Sequence, residues 1–133
     1  MQTLTGQFQI KDWQETTQSE NAGLKRSLAN VKLEYTGDIV GTSELQYLLN
    51  YQADGNAEFV GFESIQACVN GISSILVLRH LGRFVAGVAS SQFEVIQSSI
   101  EDKLIGSIGD FRSGENGQAN YTIEVSNDQL EDV

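Results

Sequence analysis

Residues 59–95 decide the fold and read FVGFESIQACVNGISSILVLRHLGRFVAGVASSQFEV. Asn70-Gly71 and Ala86-Gly87 divide this run into three segments, and apolar residues alternate along each segment. Such alternation is typical of antiparallel strands, and both dipeptides suit tight two-residue turns with positive φ. The stretch therefore predicts two consecutive β-hairpins.

Each predicted turn also determines which residues lie opposite one another on neighbouring strands. Together the two turns place a mostly apolar set on one face of all three strands. That face also carries one carboxylate and one imidazole, Glu63 and His80, a diagonal step apart. The predicted cross-strand partners are Glu63 with Leu78, Gly61 with His80, Phe59 with Gly82, His80 with Phe93, and Leu78 with Val95.

Outside this stretch, alternating apolar residues predict five further strands. Trp13 breaks the alternation of the first, which predicts a bulge or a strand end there. A three-residue loop at Asp54-Gly55-Asn56 would place Tyr47 opposite Glu63. The five strands are predicted over about residues 3–12, 25–37, 42–52, 104–111 and 118–125.

The polar segment from Glu15 to Gly23 predicts a loop, which either borders a cavity mouth or is a plain solvated connection. About eight strands with short connections predict an all-β protein. We expect an antiparallel up-and-down β-barrel, lipocalin-like, with an open sandwich as the alternative. Residues 1–126 are predicted to form a single domain, followed by an acidic tail at 127–133.

Composition and charge narrow the function. The 133 residues include 13 Gly and no Pro, and the formal net charge is -10. Nucleic acids and anionic membranes require clustered positive charge, so we expect neither as a partner. Cys68 is the single cysteine, which fits a reducing compartment, and no segment resembles a leader or a membrane span. We therefore predict a cytoplasmic protein.

Metal and cofactor sites are not expected. The chain has one histidine and one cysteine, which fall on opposite predicted faces, so they cannot form a zinc site with the usual ligands. No glycine-rich stretch has the strand-to-helix context of a phosphate-binding loop. We predict no metal and no cofactor.

Four short motifs carry a resemblance to a known family. In order and spacing they resemble a family of small bacterial proteins of unknown function, which in turn is similar to the allene oxide cyclase β-barrel. The resemblance implies a fold and no established activity, although allene oxide cyclase itself binds a fatty-acid epoxide in its barrel. The motifs are Thr36-Gly37-Asp38-Ile39, Phe59-Val60-Gly61-Phe62-Glu63, Leu78-Arg79-His80-Leu81-Gly82-Arg83-Phe84 and Leu104-Ile105-Gly106.

The predicted interior contains a candidate ligand site. A carboxylate and an imidazole among apolar residues can act as general acid and base, or can hold the polar end of an apolar ligand. The same groups can also satisfy one another as a buried structural network. The candidate residues are Tyr47, Phe59, Glu63, Leu78, His80 and Phe93; we predict no specific catalytic residue.

The outward side of the central hairpins is also unusually apolar. A sheet face that is apolar on both sides should be covered, and contact with a second copy of the chain is one cover. The Glu15 to Gly23 loop or the C-terminal tail is the alternative. The candidate interface residues are Val60, Phe62, Ile75, Val77 and Leu81.

Three functions remain open from the sequence. The first is a barrel that binds a small, largely apolar molecule. The second is an isomerase or cyclase that acts on an apolar substrate. The third is a filled barrel that acts only by assembling with itself.

Overall fold

A computed structural model describes residues 2–99, 104–114 and 116–125. The described chain forms eight antiparallel strands and no helix. The predicted acidic tail at 127–133 lies outside the described residues. The strands are β1 Thr3–Asn21, β2 Leu24–Gly37, β3 Ile39–Tyr51, β4 Ala57–Val69, β5 Ile72–Val85, β6 Val88–Ser98, β7 Ile108–Ser113 and β8 Gln118–Glu124.

The strands close into an up-and-down barrel. Each strand pairs with the next in sequence, and β8 pairs with β1 from Thr3 opposite Glu124 to Gln9 opposite Gln118. Closure pairs β1 with β8, the two strands that would be the edges of an open sheet. About eight strands are expected to close around an interior that side chains can fill. The predicted all-β barrel is confirmed, and the open sandwich is not what forms.

Both predicted hairpin turns are confirmed. Asn70 and Gly71 have φ values of 49° and 83°, and Ala86 and Gly87 have 51° and 85°, which are typical of two-residue turns. All five predicted cross-strand pairs of the central hairpins occur. Because the side-chain period of a strand is two, these registers turn Glu63 and His80 into the barrel.

The predicted loop from Glu15 to Gly23 is wrong. β1 continues to Asn21 with register shifts beside Lys11 and Gln18, and the turn is the dipeptide Ala22-Gly23. Within the described residues, β8 pairs with β1 only as far as Gln9, so the later half of β1 extends past β8 and is exposed on both faces. A strand without a buried face shows no apolar alternation, which explains why its sequence resembles a loop.

The predicted three-residue loop between β3 and β4 is also wrong. The connection spans residues 52–56, since Gln52 N–H donates to the Asn56 carbonyl oxygen at 2.8 Å. Within it, Asp54 Oδ1 accepts a hydrogen bond from Asn56 N–H at 2.9 Å. Two extra loop residues preserve which side chains face inward but shift the register, so that Tyr47 lies opposite Gly61 and not Glu63.

The remaining boundaries differ by a few residues. β3 begins at Ile39, earlier than predicted, and β7 begins at Ile108, because residues 104–107 form a turn. One end of the barrel is densely packed, and its inward side chains are nearly free of solvent contact. We call it the closed end; its inward residues include Leu4, Ile39, Ile65, Leu76 and Ile123.

Candidate functional site

A hydrogen-bonded network of four side chains lies inside the barrel. The Tyr35 hydroxyl donates to Glu63 Oε2 at 2.6 Å, and Glu63 Oε1 lies 2.7 Å from His80 Nε2. His80 Nδ1 lies 3.0 Å from Ser91 Oγ. Glu63 has no solvent exposure and His80 only 2%. The network therefore spans β2, β4, β5 and β6 through the interior.

Small residues on β3 explain how Tyr35 reaches Glu63. β3 lies between β2 and β4, and it carries Gly41 opposite Tyr35 and Ser43 two positions further on. Side chains this short leave space for the Tyr35 ring above β3. Tyr35 takes the position next to Glu63 that the sequence assigned to Tyr47, because the β3–β4 register differs from the predicted one.

Every polar atom of the buried Glu63 and His80 side chains has a hydrogen-bond partner. Both ring nitrogens of His80 are paired, Nε2 with Glu63 Oε1 and Nδ1 with Ser91 Oγ, and Glu63 Oε2 is paired with the Tyr35 hydroxyl. Ser91 Oγ also lies 3.1 Å from the Gln92 carbonyl oxygen. This complete pairing limits the cost of burying these groups.

Aromatic rings enclose His80. Its ring packs against Phe93 at 5.1 Å and against Tyr47 and Phe111 at 5.8 Å each, with the latter two in edge-to-face geometry. Tyr47 and Phe111 also line a cavity beyond His80, whereas His80 and Glu63 do not line it. We call these two rings the cavity floor, and they separate the network from the cavity.

The cavity lies at the barrel end that carries the Ala22-Gly23, 52–56 and Ala86-Gly87 connections, which we call the open end. Its volume is about 260 Å³, and its lining is mostly apolar. Aliphatic side chains from β2 and β3, including Val31 and Leu49, form part of the wall. The aromatic residues that line it are Phe8, Trp13, Tyr47, Tyr51, Phe59, Phe84 and Phe111.

Glycines fix the positions of several inward aromatic rings. Tyr47 packs over Gly61, where an added Cβ would lie 2.9 Å from Tyr47 Cδ1, and Phe93 packs over Gly109, where it would lie 2.6 Å from the ring. Each ring therefore occupies the space that a side chain on the neighbouring strand would fill. The four cross-strand pairs are Tyr47 with Gly61, Phe59 with Gly82, Phe93 with Gly109 and Tyr121 with Gly6.

The cavity mouth is built by β1 beyond its first register shift. Trp13 Nε1 donates to Glu15 Oε1 at 3.0 Å, and both residues line the cavity beside Tyr51. Burial, together with a hydrogen bond to Glu15 and its negative charge, raises the pKa of Tyr51 to about 12. The bulge that Trp13 predicted is confirmed by the register shift between Ile10 and Asp12, and the indole lies at the rim.

The sequence-predicted candidates divide between the cavity and the network. Tyr47 and Phe59 line the cavity. Glu63, Leu78, His80 and Phe93 lie deeper in the barrel and do not line it. Reasoning from the sequence did not name Tyr35, Trp13 or Glu15 as site residues, although it offered the segment from Glu15 to Gly23 as a possible border of a cavity mouth. The sequence did contain a usable signal for a longer β1. Ala22-Gly23 is the same dipeptide as Ala86-Gly87, and reading it as a two-residue turn would have extended β1 through Trp13 and Glu15.

The outward candidates are mostly exposed. Phe62 and Leu81 have exposed fractions of 59% and 65%, and Val60 and Ile75 are also exposed, whereas Val77 is half-buried. Residues 2–99, 104–114 and 116–125 include no helix long and apolar enough to cross a membrane. In the same ranges, no group of three or more His, Cys, Asp or Glu side chains could hold a metal ion.

The network predicts unequal roles for two buried tyrosines. Tyr35→Phe removes the donor to Glu63 Oε2 and leaves that buried oxygen unsatisfied, which should lower the free energy of unfolding by about 1–3 kcal/mol. Tyr47→Phe is the control, because no hydrogen bond joins its hydroxyl to another described residue. Urea unfolding at neutral pH measures both variants. Equal losses would contradict the assignment of Tyr35 to the network.

The loss of stability at alkaline pH provides a second test of the role of Tyr35. Burial, and then the charge of Glu63 and the hydrogen bond to it, raise the pKa of Tyr35 well above its ordinary value of 10.0. A raised folded-state pKa gives stability that is complete below pH 10 and is lost as the pH rises further. We expect Tyr35→Phe to lose less stability than the wild type above pH 10, and an identical loss would contradict this.

Comparisons with known proteins identify the family. Residues 4–125 match the family described as "Protein of unknown function (DUF3224)". A solved crystal structure, of a protein of unknown function from the DUF3224 family of Shewanella oneidensis MR-1, is similar with a TM-score of 0.68 and 25% sequence identity over 92% of this chain and 94% of that chain. No curated protein matches, and neither finding confirms the resemblance to allene oxide cyclase. The chain belongs to the DUF3224 family.

Proposed function

We propose that this protein binds a small, largely apolar molecule in the cavity at the open end. The observation that carries the proposal is an apolar cavity of about 260 Å³, which is walled by aromatic rings and opens beside Trp13. Ligand pockets typically occupy ~300–1,000 Å³ and combine an apolar lining with a few polar groups. A volume just below this range favours a ligand smaller than most drug molecules.

Tyr47 provides the polar group that would orient such a ligand. The residue lines the cavity, and its hydroxyl makes no hydrogen bond with other described residues. Burial, and then the negative charge of Glu63, raise the pKa of Tyr47 well above its ordinary value, so the hydroxyl stays protonated. It is suited to donate a hydrogen bond to an acceptor atom of the ligand.

Binding is better supported than catalysis. The acid and base of the interior, Glu63 and His80, are hydrogen-bonded to each other below the cavity floor, and neither lines the cavity. A protonated Tyr47 is a poor general base. The isomerase or cyclase alternative would therefore have to use Glu15 and Tyr51 at the mouth, because the interior pair does not contact the cavity. A completely filled barrel is disfavoured by the cavity volume.

Filling the cavity should weaken ligand binding. Ala119 lines the cavity, whereas the next residue, Asn120, points to solvent on the same strand. We expect Ala119→Leu to weaken 1-octanol binding at least about tenfold, since it fills space that the ligand needs, and Asn120→Leu to leave binding unchanged. Calorimetric titration measures both variants, after thermal melts confirm folding. Binding that is absent in the wild type, or equal in both variants, would contradict the proposal.

We also propose that a second copy of the chain covers the outer apolar patch, defined as Leu48, Val60, Phe62 and Leu81. Leu48 lies opposite Val60, and Val60 opposite Leu81, so the three form a continuous row across β3, β4 and β5. Phe62 lies two residues along β4 from Val60. All four side chains are exposed. An exposed row of this kind is typical of an association site.

The charges beside the outer apolar patch suit a symmetric contact. Arg79 forms an ion pair with Glu94 at 2.9 Å, and Arg83 lies 3.9 Å from Glu58. Both signs therefore lie next to the patch. A two-fold axis brings the same surface together from both copies, so the basic groups of one copy can face the acidic groups of the other.

Phe62→Glu tests this contact. A charge within the patch should reduce the mass in solution to that of one chain, because a buried unpaired carboxylate opposes association. Ile72→Glu is the matched control, since Ile72 is equally apolar and 57% exposed but lies at the β4–β5 turn. Size-exclusion chromatography with light scattering gives the mass. A wild type that is already monomeric would rule out the contact.

We also propose that this is a bacterial protein that works in the cytoplasm. The exposed free thiol of Cys68 supports a reducing compartment, and the similar DUF3224 structure from Shewanella oneidensis MR-1 supports a bacterial source.

A further inference from the structure

We infer that the molecule held in the cavity is an organic cation, with an apolar body and an amine or ammonium group at the mouth; this inference rests on the proposed function. Among the described residues that line the cavity, Glu15 is the only charged one. It lies at the mouth, while the interior is apolar. A ligand with a positive end outside and an apolar body inside would match both parts, and an acceptor atom on that body would take the hydrogen bond that the Tyr47 hydroxyl offers.

The Glu15 carboxylate is held in place by its neighbours. Trp13 Nε1 donates to Glu15 Oε1 at 3.0 Å, and the same carboxylate is close enough to the Tyr51 hydroxyl to help raise its pKa to about 12. An ionised carboxylate has about four lone-pair sites, so it can still accept bonds from a ligand. The Trp13 and Tyr51 rings both line the cavity beside Glu15, so two aromatic rings lie next to this charge.

Aromatic faces attract cations through the ring quadrupole, and grouped rings are a common way to recognise ammonium ligands. At the mouth, one ring already does this: Lys25 Nζ lies 4.5 Å from the centroid of the Tyr51 ring. Lys25 does not line the cavity. The formal net charge of -10 adds long-range attraction for cations, and it opposes the approach of carboxylate ligands such as fatty acids.

Three probes that share an eight-carbon chain but differ in charge separate the contribution of charge to the affinity from the contribution of apolar burial. The full chain is titrated calorimetrically with octyltrimethylammonium, 1-octanol and octanoate at low ionic strength. We expect the cation to bind about tenfold more tightly than the alcohol, as cation–π and charge attraction together predict, and octanoate to bind most weakly. Added salt should reduce the difference because it screens exposed charges. Fluorescence of Trp13, the single tryptophan of the chain, gives a second readout.

Glu15→Gln tests the residue itself. The amide oxygen can still accept from Trp13 Nε1, but the charge is lost, so the preference for the cation over the alcohol should fall about threefold or more. Glu20→Gln is the matched control, because Glu20 lies on the same strand, opposite Lys25, and does not line the cavity. That variant should keep the wild-type preference.

Each outcome decides between the two proposals. A tighter cation whose advantage depends on Glu15 supports the inference. Binding of 1-octanol with no advantage for octyltrimethylammonium overturns the inference and leaves the proposed function intact. An advantage that both variants keep, or that octanoate shares, also overturns it. Failure of all three probes to bind overturns the proposed function and the inference with it.

Discussion

The hydrogen bond between Glu63 and His80 is the constraint on which the interior depends. Both side chains are buried in an apolar barrel, and removing one partner of such a pair typically costs about 3–5 kcal/mol. Tyr35 and Ser91 complete the network, so four strands must keep one register for all its bonds to form. A slip of one residue in any of them would turn its polar group to solvent. The network therefore specifies the fold as well as stabilising it.

The same network divides the barrel into two parts. At the closed end, aliphatic side chains fill the interior. At the open end, Tyr47 and Phe111 cover His80 and form the cavity floor, and the aromatic side chains around them do not fill the space above. Because the polar groups of the network satisfy one another, the cavity remains apolar. The extended half of β1 then adds Trp13 and Glu15 as a polar mouth. The proposed ligand site therefore lies beside the strand that carries the register shifts.

Local signals predicted the centre of the structure well. Asn70-Gly71 and Ala86-Gly87 set the register of three strands, and the contact between Glu63 and His80 follows from that register. Tyr35 could not be predicted, because its reach depends on the β3–β4 connection, where a hydrogen bond from Asn56 N–H to Asp54 accompanies a longer loop. The mouth residues were not identified for a different reason. Among the described residues, β8 pairs with β1 only as far as Gln9, and β1 is exposed from Lys11 onward, so apolar alternation could not reveal that the strand continues.

The central claim is that the open-end cavity holds a ligand. Native mass spectrometry of the purified full-length protein, beside its denatured spectrum, tests it most directly. The account predicts an added mass of one small apolar molecule per chain that disappears on denaturation, or that appears when 1-octanol is supplied to the bare protein. A spectrum that shows only the mass of the chain under both conditions would contradict the account. It would direct attention to the outer apolar patch around Phe62.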